Sequence, residues 1–148
     1  SSMSTLDSPV PPDAATISKT FVVDVPADQV WAALRDVHAL PTRLATGFVT
    51  NSRRDGDDRL LTFANGMEVR ERILAINEDH RRVVYSVIGG EMNFHRASAI
   101  ATTKPNGQTQ FTWTAQVAPA ELAPGMDGMM EVGAAAIKRT LETTAVES

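Results

Sequence analysis

Glu71 stands in the stretch MEVRERILAI, Met67 to Ile76. With a strand's period of two, Val69, Glu71, Ile73 and Ala75 share one face, while Glu68, Arg70 and Arg72 open the other. A carboxylate on a mostly apolar face is costly unless it is paired or reaches water. Either this stretch is not a strand, or Glu71 has a partner, or its face lines a cavity. In a cavity it is a candidate general acid or base, tuned by a water, by Tyr85 or by an arginine. His95 is the next candidate. It is followed by Arg96, and on a strand one of the two points inward, so an inward imidazole could shuttle a proton. Tyr85 is a candidate orienting group. Glu71, Tyr85 and His95 are thus the catalytic candidates. If Glu71 lines a cavity and is not part of a structural ion pair, Glu71→Gln costs less than about 1 kcal/mol of stability.

Other chemistries find no support. The chain has no cysteine, which removes thiolate metal sites, disulfides and a Cys nucleophile. His38 and His80 fall at a helix end and in a turn, and no set of His and carboxylates has metal-ligand spacing. Gly89-Gly90 breaks a strand and is no nucleotide fingerprint, and there is no nucleophile elbow. No metal and no cofactor is expected.

These side chains need a scaffold. Residues 1–15, rich in Ser, Pro and Asp, are expected to form a flexible tail, and residues 16–148 a single ligand-binding domain. TISKTFVVDV has the alternation and β-branching of a first strand. PADQVWAALRDVHAL begins like a helix, with Pro26 and Asp28 at its amino end and Val30, Trp31, Leu34 and Val37 at helical spacing. Pro41 ends or kinks it, and a second short helix follows through Ala45. The period then returns to two. About six more strands follow, joined by short turns such as DGDD, NG at Asn65-Gly66, NEDH and KPNG, so neighbours should pair as antiparallel hairpins. From Glu121 to Val146 the chain reads as one long helix, interrupted early by Pro124-Gly125.

The fold class is α+β. A curved antiparallel sheet of about seven strands wraps a long C-terminal helix, with two short helices after the first strand. Alternation assigns the inner face of the sheet. Met67, Val69, Glu71 and Ile73 come from one strand and its turn, and Val83, Tyr85 and Val87 from the next. Phe94, Ala97 and Ala99 follow, with a bulge allowed near His95. Phe111, Trp113, Ala115 and Val117 form the clearest alternating set. The helix adds Met126, Met129, Met130, Gly133 and Ile137, where adaptable Met side chains and a Gly suit an accommodating pocket.

The net charge of −4, with no basic block, argues against nucleic acid as a partner. No apolar run approaches the ~20 residues of a membrane span, so no stable membrane insertion is expected. A cytoplasmic monomer or homodimer is the expectation.

Three stretches carry a family resemblance: VPADQVWAALRD, MEVRERILAINEDHRRVVYSVIGG and FTWTAQVAP. Together they resemble the START-like, Bet v 1-like (SRPBCC) superfamily, in its polyketide cyclase/dehydrase and lipid-transport branch, over residues 17–146. The resemblance implies a helix-grip fold with an elongated apolar cavity between sheet and long helix. The middle stretch is also similar to the abscisic-acid receptor branch, which implies that Glu71 faces the cavity and that Ala64-Asn65-Gly66-Met67 forms an entrance lid. The receptor's ligand-pairing lysine has no counterpart in TRLATGF, and Met92-Asn93-Phe94 replaces its latch, so hormone reception is not expected.

The leading expectation is binding or carriage of a small, mostly apolar ligand, lipid-like or aromatic. A polyketide cyclase/dehydratase-type enzyme, with Glu71 as general acid/base, is the alternative. A co-chaperone-like interaction module is the second alternative.

Overall fold

The computed structural model describes residues 6–147. Strand β1 (Ala15–Val23) leads into helix α1 (Ala27–Arg35) and one π-helical turn (Leu40–Leu44). Pro26 caps α1, with Asp28 in its first turn and Arg35 in its last, charges that complement the helix dipole. Pro41 does not end a helix but sits in the first turn of Leu40–Leu44, where a missing N–H costs nothing.

Six strands follow: β2 (Val49–Asp55), β3 (Asp58–Phe63), β4 (Glu68–Asn77), β5 (Arg82–Ile88), β6 (Phe94–Thr103) and β7 (Thr109–Ala118). A short 3-10 turn (Ala120–Leu122) then opens into helix α2 (Ala123–Glu147). Pro124 is the second residue of α2, so it starts the helix rather than interrupting it.

The seven strands form one antiparallel sheet in the order β1-β7-β6-β5-β4-β3-β2. This is the expected α+β architecture: a sheet gripping a long C-terminal helix. Helix α2 packs against β1 and the Leu40–Leu44 turn. Its Met130, Ile137 and Leu141 are buried with Val23, Phe111 and Val117 of the sheet.

Two details of register around β4 differ from simple alternation. The β3–β4 hairpin does not turn on Asn65-Gly66 alone. Phe63 N–H donates to the Met67 carbonyl at 2.9 Å, which leaves a loop of Ala64, Asn65 and Gly66. Gly66 takes a φ of 88°, and the Asn65 side chain accepts from Met67 N–H at 2.9 Å. In β4, a bulge lies between Ile73 and Ala75. Ile73 pairs with Tyr85 but Ala75 pairs with Val84, so Ala75 leaves the face that Glu71 and Ile73 share.

Ahead of β1, the carbonyls of Leu6 and Ser8 accept from Arg96 at 3.0 and 2.7 Å. That anchor is on the face of β6 opposite α2. No helix among the described residues is long and apolar enough to cross a membrane.

Candidate functional site: a walled cavity with a polar cluster

Strand β3 repeats the anomaly of β4. Arg59, Leu61 and Phe63 share a face, so a cation interrupts an apolar row. The hairpin sets Arg59 directly opposite Glu71. Arg59 Nε donates to Glu71 Oε1 at 2.8 Å, Nη2 lies 2.8 Å from the same oxygen, and Nη1 donates to the Val37 carbonyl at 2.9 Å. Both side chains are sealed from solvent, at 5% and 9% exposure. Here the geometry satisfies what burial demands, since each charge has its counter-ion and the guanidinium has an extra acceptor.

The cluster continues on β5 and β7. The Arg59 guanidinium carbon lies 4.9 Å from the centre of the Tyr85 ring, a cation–π contact. Trp113 Nε1 donates to Tyr85 Oη at 2.8 Å. Burial pushes the Tyr85 phenol well above the usual tyrosine range, with the Glu71 charge adding to it. Tyr85 therefore keeps its proton and can donate it.

On β6 the pairing with β7 runs unbroken from Phe94↔Ala118 to Thr103↔Thr109. Alternation thus holds throughout, and His95, Ala97, Ala99 and Ala101 share the inner face with Val117, Ala115, Trp113 and Phe111. His95 stands 6.0 Å from Tyr85, ring centre to ring centre. Its Nδ1 accepts from Val87 N–H at 3.0 Å, which leaves the proton of the neutral ring on Nε2. Burial pushes its pKa down to about 4, so the ring is uncharged at neutral pH.

These groups border a cavity of about 400 Å³ between the sheet and α2. One end is apolar, lined by Leu34, Leu40, Leu44, Phe48, Leu61 and Phe63. The other opens between the β3–β4 and β5–β6 loops, where Met67, Glu68, Gly89, Gly90 and Glu91 are exposed. Arg70, also at this rim, is held by Asp58 at 2.8 Å and Asp55 at 3.1 Å. Asp58 is in turn bound by Arg72, and these arginines hold its carboxyl below the usual carboxylate range.

The structure brings most of the residues picked from the sequence to this wall: Met67, Val69, Glu71, Val83, Tyr85, Val87, His95, Phe111, Trp113, Met126, Met129, Met130 and Ile137. Four others lie elsewhere. Phe94 is on the opposite face of β6 from Ala97, under the Arg96 guanidinium at 5.3 Å. Ala97 is packed behind the wall with Tyr85, Ala115 and Met130. Ile73 is half-buried beside both parts of the core. Gly133 faces the rings of Phe48 and Trp113, and a Cβ there would sit 2.9 Å from each. Arg59 and the apolar end built from α1, the Leu40–Leu44 turn and β3 were not picked out. The signal for Arg59 was in RLLTFA, where it shares a parity with Leu61 and Phe63.

His38 is half-buried next to Val37, whose carbonyl accepts from Arg59, and burial, with the Arg54 and Arg59 charges, pushes its pKa down; His80 sits in the turn before β5, bonded to Asn77. Among the described residues no group of three or more His, Asp or Glu is placed to hold a metal ion.

The fold recurs in solved structures. The chain is similar to an uncharacterized protein from Bacillus thuringiensis, at 18% identity and a TM-score of 0.77, covering 86% of this chain and 98% of that one. It is similar to the protein XoxI from Bacillus cereus, at 16% identity and a TM-score of 0.75, with 88% and 94% covered. A protein from Nitrosospira multiformis shares 20% identity at a TM-score of 0.76, with 88% and 99% covered. Identities this low speak to fold alone. No curated protein matches the chain. The sequence profile of one family, described as polyketide cyclase / dehydrase and lipid transport, matches residues 14–145. With nearly its whole length matched and the helix-grip architecture in place, the chain belongs to that family.

Proposed function

We propose that this protein binds or carries a small, mostly apolar ligand in the cavity between its sheet and α2. One observation carries the reading: an interior space of about 400 Å³ has apolar walls but a fixed polar cluster at Arg59, Glu71, Tyr85, Trp113 and His95. A plain core has no use for that combination. Cavities that hold small molecules pair apolar burial with a few placed polar groups that set orientation. Burial of the ligand's apolar surface supplies affinity, at about 25 cal/mol per Å² before the costs of association.

A second reading uses the same cluster. The family's description includes cyclases and dehydrases, and a neutral His95 and a protonated Tyr85 beside Glu71 are groups that could hold or move a proton in a folded polyketone. Native mass spectrometry of gently purified protein, before and after organic extraction, separates these. A bound mass lost on extraction supports the carrier. A bare mass, with turnover of a polyketone that is lost in Tyr85→Phe, supports the enzyme.

A further inference from the structure

The polar cluster has a definite hydrogen-bonding sense. Trp113 already occupies a lone pair of Tyr85 Oη, so the phenol's own proton is directed to another acceptor. His95 Nδ1 is taken by Val87 N–H, which leaves Nε2–H as a donor. Among the described residues Nε2 has no hydrogen-bond partner, and it is not among their fully buried unpartnered polar atoms, which are His38 Nδ1 and Ser52 Oγ. His95 and Tyr85 both line the cavity. So two neutral donors face the same space.

Charge points the same way. The cavity's buried cation, Arg59, is compensated by Glu71, whose second oxygen accepts nothing from Arg59. At the rim Arg70 is held by Asp55 and Asp58, whereas Glu68 and Glu91 are exposed and form no ion pair among the described residues. An entering carboxylate would pass two acids and then lose its water with no free cation to receive it. An entering ammonium would find the Glu71 charge already neutralised and two donors it cannot use.

We infer that the ligand's polar end is an uncharged carbonyl-type oxygen, received by the Tyr85 hydroxyl and His95 Nε2–H. This rests on the cavity being a ligand site, and goes further by naming the chemical class that the site selects.

Three matched probes test it by calorimetric titration at pH 7: 2-acetylnaphthalene, 2-ethylnaphthalene and 2-naphthoate. The ketone is expected to bind tightest, by about threefold to tenfold over the hydrocarbon for each hydrogen bond made. The carboxylate is expected to bind weakest. Tyr85→Phe and His95→Asn should each erase part of the ketone's advantage over the hydrocarbon, both probes being measured in the same variant. Asn is chosen because its Oδ1 can still accept from Val87 N–H, so the fold keeps that bond while the ring's Nε2–H is removed. Hydrocarbon binding without a ketone advantage would overturn this inference and leave the cavity reading standing. Tighter binding of the naphthoate, or of 2-naphthylmethylammonium, would overturn it too. If no probe binds, both fall together.

Discussion

Removing the Glu71 carboxylate while Arg59 stays would strand a cation in a sealed site. Glu71→Ala is expected to cost about 3–5 kcal/mol in urea unfolding, the usual result of breaking a buried pair. Glu71→Gln keeps the acceptor but not the charge, so its cost should exceed the ~1 kcal/mol of an ordinary surface change. That reverses the small cost expected from the sequence, because a cavity wall and an ion pair turn out to share one residue. The double variant Arg59→Met/Glu71→Met should recover most of the loss, and the resulting cycle gives the coupling directly. His95 has a separate signature. Its folded pKa, at about 4, is below the value near 6.5 of an unfolded histidine. Above pH 6.5 both states hold a neutral ring and nothing changes. Between 6.5 and 4 the unfolded chain takes up the proton first, so stability falls as the pH is lowered, by an amount on the order of 3 kcal/mol. Urea midpoints at pH 7, 5.5 and 4.5 should fall more steeply for the native protein than for His95→Asn.

At the scale of elements, the closest fit is where α2 crosses the sheet. Gly133 lets the helix backbone approach Trp113 and Phe48 so nearly that an added Cβ would lie 2.9 Å from a carbon of each ring. Alanine normally improves a helix interior by up to about 1 kcal/mol over glycine. Here the rings must move, and overpacking of this kind costs about 1–3 kcal/mol. Gly133→Ala is therefore expected to be net destabilising in urea unfolding, against the helix-propensity trend. A midpoint raised by the substitution would show that α2 can shift outward freely. A leucine side chain introduced by Gly133→Leu meets these same rings before it reaches the cavity.

Across the whole molecule, the order of elements was legible because each local signal agreed with its neighbours. Alternating strands were separated by short polar turns, and only one segment was long enough to cover the sheet. What alternation does not encode is the count of residues in a turn or the place of a bulge. Had Asn65-Gly66 made a two-residue turn, Arg59 would have faced Arg72 and lain on the opposite side of the sheet from Glu71. One extra loop residue, with Gly66 at a φ of 88°, brings the ion pair together. The bulge followed the same rule. It lies at Leu74 in β4, not near His95, so His95 faces the cavity and Phe94 faces away. Glu71, Tyr85 and Trp113 were readable as inward candidates from parity, and His95 only as one of two alternatives with Arg96. Arg59 needed the register, and the apolar end of the cavity needed the tertiary placement of α1 and the Leu40–Leu44 turn.

The indole contacts also give this molecule an optical asymmetry. Trp113 donates to a neutral phenol in the cavity wall, while Trp31 donates at 2.7 Å to Glu78, which also pairs with Arg35 at the surface. The two fluorophores thus sit beside different electric fields, and only one of them borders the interior space. On the proposed function, filling the cavity should change emission from Trp113 and leave that from Trp31 as its reference, so single-tryptophan variants would report occupancy.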